Sequence, residues 1–456
     1  MNLIKIEAMI KENIFCVSRM RSFAVRIFAM AVPALLLPGC TKNYFNAEVY
    51  DTVLEESFPV SDVDQNHSWR TISSNNINIS LEKVDSVDYD VCIYDADPEA
   101  SSEVTELLHV TLPGTASISA SYSYESLYDV VCVVVDSAGY IVNKENLMPA
   151  LKSNISLGSS LSKPKKFNSD VKDFSWRYCF EDCFPSYSTD YDFNDIVLTM
   201  NKFYDSEEPS IVYLYVSLDA VGTQKGPLQA ALHLNGITPS EISLFEVEKS
   251  FDFYSQLRSN INEEVAGYTI GRNGDVVIPL FNDAHVAMFG SSDAISGTGV
   301  IARKYVNTVG ASTQDEITSN SDLIATESVK SAIFKITFKS ESSAWKLTAT
   351  NVDAFIAGEY NGNFFETHCY PYKRNMTLYE FASSEGGNDF FNNPYPWGFM
   401  LPSDFKYPQE GVAIGSNKSK YVGAYNIKGY NFASWAQDEE TSPGWYRYAL
   451  NNRVYN

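Results

Sequence analysis

Asp190, Asp192 and Asn194 stand two apart in the run Thr189-Asp190-Tyr191-Asp192-Phe193-Asn194-Asp195, and Phe180-Glu181-Asp182 comes just before it. At that spacing an extended chain turns its side-chain oxygens the same way. A hard cation such as Ca²⁺ takes roughly six to eight oxygen ligands from carboxylates, amides and carbonyls. Asp190, Asp192, Asn194, Asp195, Glu181 and Asp182 would supply much of that shell. The sequence therefore predicts a calcium-binding loop running into the apolar strand Ile196-Val197-Leu198, with the rings of Tyr191 and Phe193 turned into the core. Acidic groups packed this closely repel unless something neutralises them. The plainer alternative is an acidic turn whose Asp and Asn side chains bond their own backbone. An EF-hand is excluded. That pattern needs Gly where Asp195 stands and Glu where Asn201 stands, and it leads into a helix rather than a β-branched run.

Other chemistry is sparse. There is no Gly-x-Ser-x-Gly, no His-Glu-x-x-His and no phosphate loop. Cast as acid and base, Asp190, Asp192 and Asp195 would make a carboxylate-dependent glycoside hydrolase, but carboxylates so close in sequence more naturally share one cation. Trp397, Trp435 and Trp445 offer a glycan-binding face if they are exposed, although core placement is the commoner fate of Trp. His67 and His109 stand isolated. Of the seven cysteines, Cys92 and Cys132 lie on two candidate strands of one domain and could pair as a disulfide. Cys179 and Cys183 flank Phe180-Glu181-Asp182, and Cys369 beside His368 has either of them as an alternative partner. Cys-x₃-Cys with an adjacent His-Cys is poor zinc spacing.

The elements that must position these residues read as mostly β. Residues 1–39 form a lipoprotein signal peptide: Arg19, Arg21 and Arg26, then an apolar run from Ile27, then Leu37-Pro38-Gly39-Cys40. Lipid on Cys40 would hold the chain to the membrane. Residues 40–60 read as a tether. Residues 61–165 read as a β-sandwich, from alternating runs such as Ile77 to Leu81 and turns such as Leu112-Pro113-Gly114. Val130 to Val135 is apolar throughout, as in a central strand covered on both faces. Polar, basic residues within 152–173 mark a linker. A larger β-rich domain follows over 166–456, with strands at Ile211 to Leu218, Ala230 to Leu234 and Ser331 to Phe338. A helix is expected within 250–266, loops over 285–330, and a short helix near Tyr430 to Gln437. The net charge of −23 disfavours nucleic acid and anionic lipid headgroups as partners.

Three motifs carry a resemblance. Phe180-Glu181-Asp182-Cys183-Phe184-Pro185 with Asp190 to Asp195 is the first. Glu366-Thr367-His368 is the second, although Cys369-Tyr370-Pro371 follows it where Leu-Pro-Gly is usual. Pro396-Trp397-Gly398-Phe399-Met400-Leu401-Pro402 with Phe405 to Glu410 is the third. In this order they resemble the LruC-domain family of bacterial envelope lipoproteins, over about residues 166–456. The resemblance implies an outer-membrane lipoprotein of a Gram-negative envelope, facing the cell surface or the periplasm, and brings no reaction with it. The expectation is an envelope-anchored, calcium-stabilised β protein with a structural or adhesive role. A glycan or another envelope protein would be its partner, and a glycan-binding surface lipoprotein is the alternative.

Overall fold

The structure is a computed structural model. It describes residues 58–455, apart from 82–87, 113–116, 126–129, 148–153, 158–164, 167–168, 183–189, 206–207, 254–266, 272, 291–293, 296–299, 314, 361–362, 370–394 and 416–421. The signal segment, Cys40, the tether up to residue 57 and most of the helix expected within 250–266 lie outside the described residues.

The first sandwich uses nine strands: β1 (Ile72–Leu81), β2 (Tyr89–Tyr94), β3 (Glu103–Leu112), β4 (Ser117–Glu125), β5 (Val131–Val135), β6 (Tyr140–Asn146), β7 (Asn154–Leu157), β8 (Lys165–Lys166) and β9 (Asp170–Asp173). A three-stranded sheet in the order β4-β1-β7 faces a six-stranded sheet in the order β8-β6-β5-β2-β3-β9. Alternation decides which side chains meet. Cys132 and Val134 of β5 join Ile77, Ile93, Val110 and Tyr122 between the sheets. Val131 and Val133 join Cys92 and Tyr94 on the other face, so β5 is buried on both sides.

That alternation corrects the candidate disulfide. Cys92 pairs with Val133, and Ile93 pairs with Cys132. The offset of one residue puts the two thiols on opposite faces of the sheet, and both are free.

The second sandwich carries the acidic loop. Its strands are β10 (Ser175–Phe180), β11 (Ile196–Tyr204), β12 (Ile211–Ala220), β13 (Gln229–Leu234), β14 (Ile242–Lys249), β15 (Thr269–Ile270), β16 (Val276–Phe281), the small ribbon β17 (Tyr305–Val306) and β18 (Ile324–Ala325), then β19 (Lys330–Phe338), β20 (Val352–Tyr360), β21 (Asn363–His368) and β22 (Gly398–Pro402). One sheet runs β14-β19-β12-β11-β10-β22 and the other β15-β16-β13-β20-β21. Between them lie Tyr178, Leu198, Val216, Leu232, Ile278, Phe334 and Ile356, all buried. Short helices complete it: Ala284–Phe289 follows β16, and Phe432–Gln437 comes after the last strand. The expected loops of 285–330 thus hold several short helical turns and the β17–β18 ribbon.

Two boundaries move from their sequence positions. Phe58, Val60, Trp69 and Ile72 pack into the core of the second sandwich, not the first. His67 bonds the Trp435 carbonyl through Nε2 at 2.7 Å, and its ring stacks on Trp69 at 4.1 Å. Strands β7, β8 and β9 fill the stretch read as a linker, and β9 pairs in parallel with β3. The sandwiches touch: the Ala349 N–H donates to Ser123 Oγ at 2.9 Å, and the Tyr446 hydroxyl donates to Glu125 at 3.0 Å.

Candidate metal centre

Residues 181–195 connect β10 to β11, which pair up to Phe180 opposite Ile196. The two ends of the loop are thereby held together, and Glu181 and Asp182 face the Asp190–Asp195 run. The run is not extended as spacing two implied. Tyr191 and Phe193 have φ of 56° and 52°, in the left-handed region. That conformation costs a bulky side chain about 1–2 kcal/mol per residue. Both rings offset it by burial. Tyr191 lies 5.1 Å from Phe58, and Phe193 lies 4.6 Å from Phe399. The rings go inward, as expected, and the alternating residues wind the polar side chains into a cluster.

Three of the six predicted residues converge. One carboxylate oxygen each from Glu181, Asp190 and Asp192 lie within 4.8 Å of one another. Glu181 and Asp192 are buried, and Asp190 lies at the exposed rim. Asn194 is also buried; its amide donates to the Pro408 carbonyl at 3.0 Å. Among the described residues its Oδ1 accepts no hydrogen bond. Gly222 presses on that oxygen: a Cβ there would fall 1.8 Å from Asn194 Oδ1. The remaining two residues serve the frame. Asp195 accepts the Asp182 N–H at 2.7 Å, and Asp182 pairs with Lys225 Nζ at 2.9 Å and takes the Thr223 hydroxyl.

Sequence reasoning missed Glu410. It is buried, takes the Thr308 hydroxyl at 3.1 Å, and interacts electrostatically with Asp190, Asp195 and Glu181. Its segment is clamped to the loop. The Gly411 N–H donates to Asp192 Oδ2 at 2.7 Å, and the Ile414 N–H donates to the Tyr191 carbonyl at 2.7 Å. The only signal for it was its place in the third resemblance motif, more than two hundred residues downstream.

Burial pushes the carboxyl groups of Asp192, Asp195 and Glu410 well above the ordinary carboxylate range, and their acidic neighbours push the same way. For Asp192 those neighbours are Asp190, Glu410 and Glu181. Such groups need protons or a cation. The donors are all oxygens, from carboxylates and an amide, and this matches a hard divalent cation rather than a thiophilic one.

The second motif sits elsewhere, on the face of the five-stranded sheet turned away from the sandwich core. His368 Nδ1 lies 2.7 Å from Asp353, and its Nε2 lies 3.2 Å from Glu366. His233 bridges Asp353 at 3.4 Å and Asp275 at 3.0 Å. The groups form a chain Asp275–His233–Asp353–His368–Glu366, all buried. Burial lowers the His368 pKa, but Asp353 and Glu366 outweigh it and hold the imidazole up at about 10. Cys179 and Cys369 are buried free thiols, and Cys183 lies outside the described residues. Trp397, Trp435 and Trp445 are core residues, 3%, 2% and 0% exposed, which removes the glycan face they would have formed.

Residues 211–446 match the family described as "Domain of unknown function (DUF4842)", which is more than half of the chain, so the chain belongs to that family. The LruC resemblance stays one of motifs. No curated protein matches the sequence. Among solved structures, one described as "a Putative lipoprotein from Bacteroides ovatus" aligns over 85% of this chain and 93% of its own, at 12% identity and a TM-score of 0.37. The full-length major pilin SpaD from Corynebacterium diphtheriae aligns over 67% of each chain, at 10% identity and a TM-score of 0.13.

Proposed function

We propose that this member of the DUF4842 family is an envelope lipoprotein, anchored by lipid on Cys40, whose body is a calcium-stabilised β protein with a structural or adhesive role. The observation that carries the calcium reading is the convergence of Glu181, Asp190 and Asp192 within 4.8 Å, backed by buried Glu410 and by the Asn194 oxygen, which accepts no hydrogen bond among the described residues. Glu181, Asp190, Asp192, Asn194 and Glu410 would hold the ion. Bound there, Ca²⁺ neutralises carboxylates that otherwise repel, and ties the β10–β11 loop to the segment around Glu410. These groups are assigned no reaction: hydrogen bonds fix Asp192 and Glu410 in the frame, which suits a resident cation.

The anchor reading draws on the Leu-Pro-Gly-Cys40 ending. Among the described residues no helix is long and apolar enough to cross a membrane. Outer-membrane placement, on the surface or the periplasmic side, belongs to the same proposal. The test is thermal unfolding of the chain from residue 41 onward, stripped with chelator and titrated with Ca²⁺. A saturable rise specific for Ca²⁺ over Mg²⁺ supports the reading, and an unchanged midpoint removes it.

One observation favours glycan binding as a second reading. A cavity of about 510 Å³ opens on the outer face of the six-stranded sheet, lined by Arg177, Thr199, Asp219, Glu327, Tyr407 and Tyr455 among others. Aromatic rings beside hydrogen-bonding groups are what a sugar ring needs. Binding of oligosaccharides on an array, lost in Arg177→Ala, tests it.

A further inference from the structure

The outer face of the first sandwich carries a second cluster, of different chemistry. Cys92 of β2 stands directly opposite His109 of β3. By strict alternation Glu106 would face away from His109, because the two stand three positions apart. A β-bulge prevents this. Ile93 pairs with Leu108 but Tyr94 pairs with Glu106, so Leu107 is the extra residue. Leu107 and Leu108 both enter the core, and Glu106 swings to the side of Cys92 and His109. Bulges re-aim side chains in this way, and they recur beside functional sites. The result is that the Cys92 sulfur, a Glu106 carboxylate oxygen and a His109 ring nitrogen lie within 4.8 Å of one another.

We propose that Cys92, Glu106 and His109 form a binding site for a zinc-like transition-metal ion, with a fourth position left to water or another ligand. A thiolate, an imidazole and a carboxylate are the ligand set Zn²⁺ takes, whereas Ca²⁺ and Mg²⁺ avoid sulfur. Tetrahedral zinc sets its ligand atoms roughly 3.4 Å apart. From separations of at most 4.8 Å the cluster therefore closes by no more than about 1.4 Å, within reach of the partly exposed Glu106 and His109 side chains. Loading exchanges the Cys92 thiol proton, and any proton on the liganding ring nitrogen, for the metal.

The surroundings are those of a ligand shell. His109 Nδ1 lies 3.7 Å from Glu106 Oε1, and Nε2 lies 3.4 Å from Asp90 Oδ1. Asp90 is itself held by the Thr111 hydroxyl at 3.0 Å. With Nδ1 on the metal, Nε2–H donates to Asp90, the carboxylate–histidine–metal arrangement that orients a liganding imidazole. The Tyr94 hydroxyl lies 3.4 Å from Glu106 Oε2 and braces the carboxylate.

The test titrates Co²⁺ into the reduced chain from residue 41 onward, in excess Ca²⁺. A thiolate-to-cobalt charge-transfer band that saturates near one equivalent and is bleached by Zn²⁺ is expected. Cys92→Ser should abolish it, and His109→Ala should weaken cobalt binding at least tenfold. His109 has a side chain 45% exposed, so that variant is expected to fold, which far-UV circular dichroism checks. Asp192→Asn should keep the band, which separates this site from the calcium reading. The absence of a band in folded protein, or a band that survives Cys92→Ser or is unweakened in His109→Ala, overturns the proposal.

Discussion

Replacing Asp192 by Asn separates a calcium loop from an acidic turn, because the two readings predict opposite signs. Asp192 lies within 4.8 Å of carboxylate oxygens on both Glu181 and Asp190. Repulsion between two unit charges at that distance is about 0.9 kcal/mol in bulk water and about 3.5 kcal/mol at an effective dielectric of about 20. Asp192→Asn removes two such repulsions wherever Asp192 is ionised; burial and the neighbouring carboxylates push its carboxyl up, so the chelator arm is run above neutral pH. Against this, the amide keeps only one acceptor for two N–H donors, Gly411 at 2.7 Å and Asn194 at 3.3 Å. Losing the longer bond costs about 1 kcal/mol. In chelator the variant should therefore be at least as stable as the native chain, and up to a few kcal/mol more so. In calcium the order reverses. An ion at a hundred times its Kd stabilises the native fold by about 2.7 kcal/mol. That is about 5–10 °C in midpoint for a domain of 150–250 residues. The variant should lose most of that rise. Differential scanning calorimetry in chelator and in millimolar Ca²⁺ reads both numbers. A variant destabilised equally in the two buffers would refute the reasoning, since Asp192 would then be a hydrogen-bonding turn residue and nothing more.

Three further outcomes follow from the geometry. Gly222→Ala sets a methyl 1.8 Å from Asn194 Oδ1 and 2.6 Å from its carbonyl oxygen; it should cost at least 2 kcal/mol, roughly the scale of overpacking, and weaken calcium binding, both read by urea unfolding with and without the ion. His368 is held at about 10 against an ordinary 6.5. Its contribution is fully present below pH 6.5 and fades as pH rises through 10, so the unfolding free energy from urea titration should fall by a few kcal/mol over that range, and fall less in His368→Gln. Because Cys92 and Cys132 are free and face opposite ways, adding reductant should leave the midpoint unchanged; a drop would restore the disulfide.

What the sequence made legible was local. Apolar patterning placed β1 and β5 in the first sandwich and β11, β12, β13 and β19 in the second, while β7 to β9 fell in the stretch read as a linker; the apolar run at Val130 to Val135 marked a strand buried on both faces. The acidic loop showed in spacing alone, although positive φ at Tyr191 and Phe193, not extension, gathers its oxygens. Long-range packing was illegible. Glu410 reaches the loop because the segment around it bonds back to Tyr191 and Asp192, and no periodicity encodes that return. Trp69 joins Phe432 and Trp435 across the whole chain, so the first residues of the body fold with its last.

The two cysteines show the limit most sharply. Each was correctly placed on a strand, and the strands do pair, yet an offset of one residue turns the thiols apart. The same rule, broken once by Leu107, turns Glu106 toward His109. The doublet Leu107-Leu108 in an otherwise alternating strand was the visible mark of that break. An alternation error in a half-buried strand therefore points to a bulge, and a bulge points to the side chains it brings to one face. By that route His109, which looks isolated along the chain, acquires Cys92 and Glu106 as neighbours.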